Sequence, residues 1–146
     1  MFEATAKRRL ICKGETEMAK STRQYVFEGM ELLPTALAPF VEKRLESSLS
    51  GHWQVEVLER YKGLKSGKNG QVDWDQQSLL KVMNIFWFEA FKDVLGQTER
   101  AIVNELIAVR NELAHDGKFT YDDAERALDS MRRLMEAISA GDTATQ

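Results

Sequence analysis

Apolar residues recur every three or four positions along most of the chain, which is the spacing of helices that bury one face. The first such stripe consists of Val26, Met30, Leu33 and Leu37. Pro34 and Pro39 interrupt it, and proline removes an amide donor and clashes with the preceding turn. The pattern therefore predicts a helix to about Leu33, a break, and a second helix that ends near Leu49.

The middle of the chain predicts a short helix over Trp53–Tyr61 and a loop over residues 62–72, which holds three glycines and three lysines without an acid. The segment 73–76 predicts a helix cap, with Asp73 as acceptor and a glutamine three residues on. The next segment, up to Leu95, is apolar nearly all round, which predicts a central helix or one at a subunit interface. Gly96 is expected to end it and Thr98 to open the next helix.

Two more amphipathic helices follow. The first has a stripe of Val103, Leu106, Ile107, Leu113 and Ala114, and the second has one of Ala124, Leu128, Met131, Met135 and Ile138. The sequence thus predicts an all-α bundle of four to five helices. We expect a flexible extension over residues 1–20, one helical domain over 21–141 and a disordered tail over 142–146. Met18 and the residues after it resemble a translation start, so residues 1–17 are expected to be an upstream addition.

Composition narrows the class of protein. The chain has 146 residues, of which 43% are hydrophobic and 29% charged, with 2 prolines and 9 glycines; this is typical of one globular, helix-rich domain. A single cysteine, Cys12, excludes an internal disulfide, and with no secretory signal we expect a cytoplasmic protein. No apolar run is long enough for a bilayer. The formal net charge of -3 argues against general DNA coating but permits a local RNA-binding groove.

The chemistry concentrates in one hexapeptide, Arg110-Asn111-Glu112-Leu113-Ala114-His115. An arginine can neutralise a phosphate, and an imidazole can move protons near neutral pH, so the string holds the groups that cleave RNA without a metal. A structural role is the alternative: Arg110 could pair with Glu105 or Glu112, and His115 could cap the helix.

Spacing alone leaves the geometry of this string open. Five residues along a helix turn through about 140°, so Arg110 and His115 diverge on an unbroken helix. They could converge if the helix ends near Ala114, or if a second subunit brings its own copy alongside.

The string and its surroundings resemble the HEPN superfamily, the higher eukaryote and prokaryote nucleotide-binding domains, whose motif is an arginine, usually followed by a polar residue, with a histidine four to six positions beyond the arginine. The resemblance covers roughly residues 22–139 and is closest to the Swt-type subfamily. Besides the string, which Asn104-Glu105-Leu106 precedes, it is carried by Leu32-Leu33-Pro34, Leu37-Ala38-Pro39-Phe40-Val41-Glu42, Phe91-Lys92-Asp93-Val94-Leu95-Gly96 and Arg126-Ala127-Leu128-Asp129.

The resemblance implies a metal-independent RNA endonuclease that acts as a homodimer and leaves 2′,3′-cyclic phosphate and 5′-hydroxyl ends. It implies that His115 is the general acid/base, that Arg110 holds the scissile phosphate, and that Asn111 orients the backbone or the histidine. No cofactor or metal is expected. Defence against foreign genetic elements or RNA processing would be the setting.

Two alternatives from the same family stay open. Many HEPN domains have lost activity and serve as dimerisation or nucleotide-binding modules, commonly beside an ATPase or helicase. The chain could also be a toxin that a separate antitoxin holds in check.

Other candidate sites are weaker. Arg60, Lys62, Lys65 and Lys68 could contact RNA backbone, although a solvated connector is the simpler interpretation. The same loop fails as a phosphate-binding loop because its glycines are too close together and Asn69 replaces the Ser or Thr that binds Mg²⁺. Trp53, Trp74 and Trp87 could stack bases, but Trp87 is predicted in the core and Trp74 beside a cap. His52 is expected at the surface, and the spacing of Cys and His predicts no metal site.

Overall fold

The computed structural model describes residues 21–67 and 71–144, so the extension 1–20 with Cys12, the loop residues 68–70 with Lys68, and residues 145–146 lie outside it. Its helices are α1 (Thr22–Leu49), α2 (Trp53–Arg60), α3 (Gln76–Ile85), α4 (Gln97–Ala114) and α5 (Tyr121–Ala144). A 3₁₀ turn (Ser50–His52) precedes α2 and a π-helical turn (Trp87–Phe91) follows α3. The prediction of an all-α bundle is confirmed.

α1 is one continuous helix that contains both Pro34 and Pro39, so the predicted break is wrong. Its core face runs through both prolines without interruption; Val26, Leu33, Leu37, Val41 and Leu45 are all 0% exposed. Burying each such side chain stabilises by about 1.5–3 kcal/mol, whereas an interior proline costs about 3 kcal/mol. The long-range burial therefore outweighs the two local penalties, and the proline rings lie off the core face.

α1 and α5 approach each other closely at Gly29. A Cβ atom at this glycine would lie 2.8 Å from the sulfur of Met131 and 3.0 Å from a methyl carbon of Leu128. A side chain here would force Met131 and Leu128 to move, so Gly29 allows the first and last helices to pack closely.

α3 begins with a capping box at Asp75. Its carboxylate accepts from the Ser78 amide at 2.8 Å, and the Ser78 hydroxyl accepts from the Asp75 amide at 2.9 Å. The cap was expected in this segment, but with Asp73 as the acceptor. Asp75 takes that role because Ser78, three residues on, closes the box.

The apolar helix predicted up to Leu95 ends at Ile85 and continues as the π-helical turn. Its central position is confirmed, since Leu79, Leu80, Met83, Phe86 and Phe91 are 0% exposed. The widened turn leaves the Ala90 carbonyl to accept from Nε of Arg44 at 2.8 Å.

The sequence had predicted that Gly96 ends the preceding helix. In the structure Gly96 is instead the N-cap of α4. Its amide donates to a carboxylate oxygen of Glu99 at 2.7 Å. Glu99, three residues after Gly96, accepts from the Gly96 amide, so Gly96 caps the N-terminus of α4 and not the C-terminus of the helix before it.

The loop 62–72 contains a small feature that the sequence did not predict. Strands β1 (Lys65–Ser66) and β2 (Val72–Asp73) form an antiparallel pair of two residues each. Beside it, Trp74 stacks on Trp53 with ring centroids 6.5 Å apart and donates to Glu42 at 2.9 Å. Trp87 is buried as predicted and His52 is exposed.

α5 extends to Ala144, past Gly141, where the sequence had predicted the end of the helix. In the described ranges, none of the helices combines the length and hydropathy that a membrane crossing requires.

Candidate functional site

Arg110 lies on the apolar side of α4, where Ile102, Val103, Leu106 and Leu113 are buried. It is half-buried and lines a notch of about 180 Å³ between α1, α3 and α4. Phe27, Met30 and Leu113 form the apolar wall of the notch, and Glu31, Gln76 and Arg110 form its polar edge. Ligand pockets for whole small molecules have about 300–1,000 Å³, so this notch suits one chemical group.

A three-residue chain of hydrogen bonds holds the guanidinium of Arg110. Its Nε donates to the side-chain oxygen of Gln76 at 3.4 Å, and the Gln76 amide nitrogen donates to a carboxylate oxygen of Glu31 at 2.9 Å. Gln76 thus stands between the acid and the guanidinium. Neither Glu105 nor Glu112 pairs with Arg110; Glu105 pairs with Arg126 of α5 instead.

The terminal nitrogens of Arg110 make no hydrogen bond to any residue of the described ranges. A guanidinium has five N–H donors in a planar fork, so the side chain keeps its outer edge for an anion. The sequence marked Gln76 only as part of a helix cap and did not single out Glu31. The contact of Gln76 with Arg110, and of Glu31 with Gln76, reveals their role across three helices.

His115 is the residue at which α4 ends. It is the C-cap, it is exposed, and its amide donates to the Asn111 carbonyl at 3.1 Å. Neither His115 nor Asn111, which is also exposed, lines the notch of its own chain. The helix therefore ends at Ala114, which was one of the two ways in which Arg110 and His115 could converge. The imidazole nevertheless does not line the notch of its own chain.

The backbone after His115 is fixed by a left-handed turn. Asp116 has φ of 57°, and the Gly117 amide donates to the Glu112 carbonyl at 2.7 Å. Arg23 of α1 donates to the Leu113 carbonyl and lies 3.4 Å from the Asp116 carboxylate. These contacts, which the sequence did not reveal, tie the end of α4 to the start of α1 and position His115.

Of the four basic residues proposed to contact RNA backbone, the structure describes the side chains of Arg60 and Lys62. Arg60 donates to both carboxylate oxygens of Glu89, at 2.7 and 2.9 Å, and its guanidinium lies 4.2 Å from the ring centroid of Phe86. Lys62 is exposed in a turn, Lys65 belongs to β1, and Lys68 lies outside the described residues. The charge of Arg60 is thus already engaged by an acid.

Within residues 21–67 and 71–144, no three His, Cys, Asp or Glu side chains lie close enough together to hold a metal ion.

Comparison with protein families matches residues 28–139, more than half of the chain, to the family described as Swt1-like HEPN. No curated protein and no solved structure matches the chain. The matched range contains the whole notch except Phe27, together with the string from Arg110 to His115. The chain belongs to the Swt1-like HEPN family, which indicates a nucleotide-binding or ribonuclease-type module.

Proposed function

We propose that the chain is a metal-independent RNA endonuclease whose active site forms between two copies of the chain. The observation that carries this proposal is the state of Arg110: half-buried, held through Nε by a neutral amide, with its outer nitrogens available to an anion. A structural arginine on an apolar helix face would instead be paired with a carboxylate.

In the proposed reaction the ribose 2′-oxygen loses its proton to a base and attacks the adjacent phosphorus. The bond from phosphorus to the 5′-oxygen breaks, and that oxygen takes a proton from an acid, which leaves a 2′,3′-cyclic phosphate and a 5′-hydroxyl. His115 would transfer these protons, and Arg110 would stabilise the charge that develops on the phosphate. Asn111 would orient the histidine or the RNA backbone.

The position of His115 favours a composite site. The notch of one chain holds one guanidinium and one carboxylate, from Arg110 and Glu31, so alone it has little net attraction for a phosphate. His115 is exposed beside the notch but does not line it. A second copy would supply the missing histidine to the same cleft, together with another arginine that comes with its own Glu31.

The proposal is tested by incubating the purified chain with mixed RNA in EDTA and mapping the product ends. We expect cleavage that leaves 2′,3′-cyclic phosphate and 5′-hydroxyl ends, together with a dimer in light scattering. Cleavage that persists after His115→Ala and Arg110→Ala are combined would contradict the assignment. A strict monomer at micromolar concentration would contradict the composite site.

Gln76 offers a sharp test of how Arg110 is held. Gln76→Glu would place a carboxylate directly against Nε of Arg110, and the guanidinium would pair with it in place of the phosphate. A hydrogen bond to a charged group is worth about 1.5–3 kcal/mol, so we expect kcat/KM to fall at least about tenfold.

Gln77→Glu is the matched control for this prediction. It makes the same change of charge at the next residue, which lines a different pocket beside the hairpin. Equal rates for the two variants would show that Gln76 does not position Arg110. Thermal unfolding of both variants checks that the fold is intact.

A second function has one observation in its favour. A single chain holds an anion-accepting arginine without a histidine in the same notch, which also suits a silent module that binds RNA or nucleotides beside an ATPase or helicase. RNA binding without cleavage would select this reading. Growth arrest on expression that the His115 variant lacks would instead support a toxin, and so a role in defence.

A further inference from the structure

Phe88 is the most exposed of the large hydrophobic side chains in the described ranges, at 64% of its surface. The other aromatic rings of this segment are buried: Phe86, which precedes the π-helical turn, and Phe91 within it are 0% exposed, and Trp87 is 1% exposed. Glu89, the next residue after Phe88, is exposed. The exposed ring stands in a π-helical turn, and such turns frequently occur at functional sites.

The ring stands on a fixed platform. Trp87 stacks on Phe91 with centroids 6.3 Å apart, and Arg44 anchors the Ala90 carbonyl. Glu89, the residue after Phe88, receives the bidentate hydrogen bond from Arg60. The backbone on both sides of Phe88 is therefore restrained, so a ligand that stacks on the ring need not order it first.

Two cations lie over the Phe88 ring, so a base that stacks there has to move them aside, towards its own phosphates. The guanidinium carbon of Arg100 lies 4.9 Å from the centroid of Phe88, and the ammonium nitrogen of Lys92 lies 5.9 Å from it. Nε of Arg100 donates to Asn84 at 3.2 Å, and its terminal nitrogens have no hydrogen-bond partner among the described residues. Of the acids in adjoining positions, Glu89 is engaged by Arg60 and Glu99 by the cap of α4. Asp93, next to Lys92, is exposed and pairs with no cation in the described ranges.

The Phe88 ring and the Arg110 notch lie towards opposite ends of the same seam. α3 and α4 run antiparallel: Gln76 at the start of α3 contacts Arg110, and Asn84 near its end contacts Arg100. Ten residues of α4 separate the two arginines, which is about 15 Å at 1.5 Å per residue. A strand of several nucleotides can bridge that distance.

We propose that Phe88, Lys92 and Arg100 form a subsite for single-stranded RNA outside the cleavage site. An unpaired base stacks on the Phe88 ring, and the phosphates beside that base contact Lys92 and Arg100. Exposed aromatics among cations bind single strands in this way, because every base has a stacking face and every linkage a negative charge. The subsite rests on the proposed function in that it assumes an RNA substrate.

The test measures binding without cleavage. A labelled single-stranded RNA is titrated against His115→Ala protein by fluorescence anisotropy, with and without Phe88→Ala. We expect Phe88→Ala to weaken the Kd roughly tenfold, the loss of about one stacked base, and Phe88→Trp to keep the affinity. Val55→Ala is the matched control, since Val55 is 58% exposed on α2, and should leave the Kd unchanged.

Two further variants distinguish base stacking and phosphate contact from non-specific apolar contact. Phe88→Leu keeps an apolar side chain without an aromatic face, so it should weaken the Kd like alanine. Lys92→Gln should reduce the slope of log Kd against log salt by about 0.7, the value of one phosphate contact on a single strand.

An unchanged Kd in Phe88→Ala overturns the subsite, whether or not the wild-type chain cleaves RNA. A change from dimer to monomer in that variant, seen by light scattering, also overturns it, because the ring would then bind a second copy of the chain. Failure of the proposed function is a separate result: the wild-type chain leaves RNA intact in EDTA while Phe88 still governs the Kd.

Discussion

Arg110→Lys is expected to lower kcat/KM about 10²- to 10³-fold, the range found when one group that stabilises developing charge is removed. The positive charge is kept in this variant, but the planar fork is lost. In the structure Nε is held by Gln76 and the outer nitrogens are left for the phosphate. An ammonium cannot bind the amide and grip two phosphate oxygens at once in that geometry.

His115→Ala is expected to cost about 10²- to 10⁴-fold through the loss of proton transfer. Because the two residues act in one step, kcat/KM of the double variant should be only slightly lower than that of the less active single variant. Rates are measured on a defined oligonucleotide in EDTA. Arg133→Lys, at an exposed position of α5, is the matched control and should cleave normally; full activity in Arg110→Lys would contradict the role given to the fork.

Mixing the two inactive variants tests the composite site directly. A dimer of one Arg110→Ala chain and one His115→Ala chain contains one pair of intact residues, an arginine from the second chain and a histidine from the first. If each site draws its arginine and histidine from different protomers, mixing restores part of the activity. Mixtures that form mixed dimers but stay inactive would show that each chain must hold both residues.

Trp87→Ala should lower the free energy of unfolding by about 3–5 kcal/mol, as expected for a large aromatic removed from a core. Trp87 is 1% exposed, stacks on Phe91, and has the Arg100 guanidinium 5.8 Å from its ring centroid. Since domains are stable by about 5–15 kcal/mol in total, this single change removes a large share of the stability.

The neighbouring residue is the natural control for this prediction. Phe88→Ala removes a similar ring that is 64% exposed, so its effect should stay within about 0.5 kcal/mol. Both variants are compared by urea unfolding with the slope monitored. Equal losses would contradict the π-helical turn, which places one ring inside the bundle and the next one outside.

Periodic burial was the part of the fold that the sequence could predict. The stripes of α4 and α5 and the short helix α2 follow from spacing, since each depends on neighbours three and four residues apart. The prolines of α1 misled because their local cost is visible in sequence, while the burial of Val26 to Leu45 is decided by the other helices. The role of Gly96 was mispredicted for a similar reason: whether it ends one helix or begins the next depends on its hydrogen bond with Glu99.

The candidate site divides in the same way. Arg110 and His115 stand in one short string and could be found by their chemistry. Gln76, which contacts the guanidinium, and Glu31, which contacts Gln76, precede Arg110 by 34 and 79 positions, and nothing in their local pattern links them to it. Arg60 showed the reverse: its charge looked available in sequence, yet Glu89 engages it in the fold.

The notch takes its walls from α1, α3 and α4. Of these helices α4, which carries Arg110, comes last in the chain. A nascent polypeptide that has emerged only as far as α3 therefore has no grip on phosphate, however well its first helices fold. Under the function proposed above, this order makes any grip on RNA depend on the synthesis of α4.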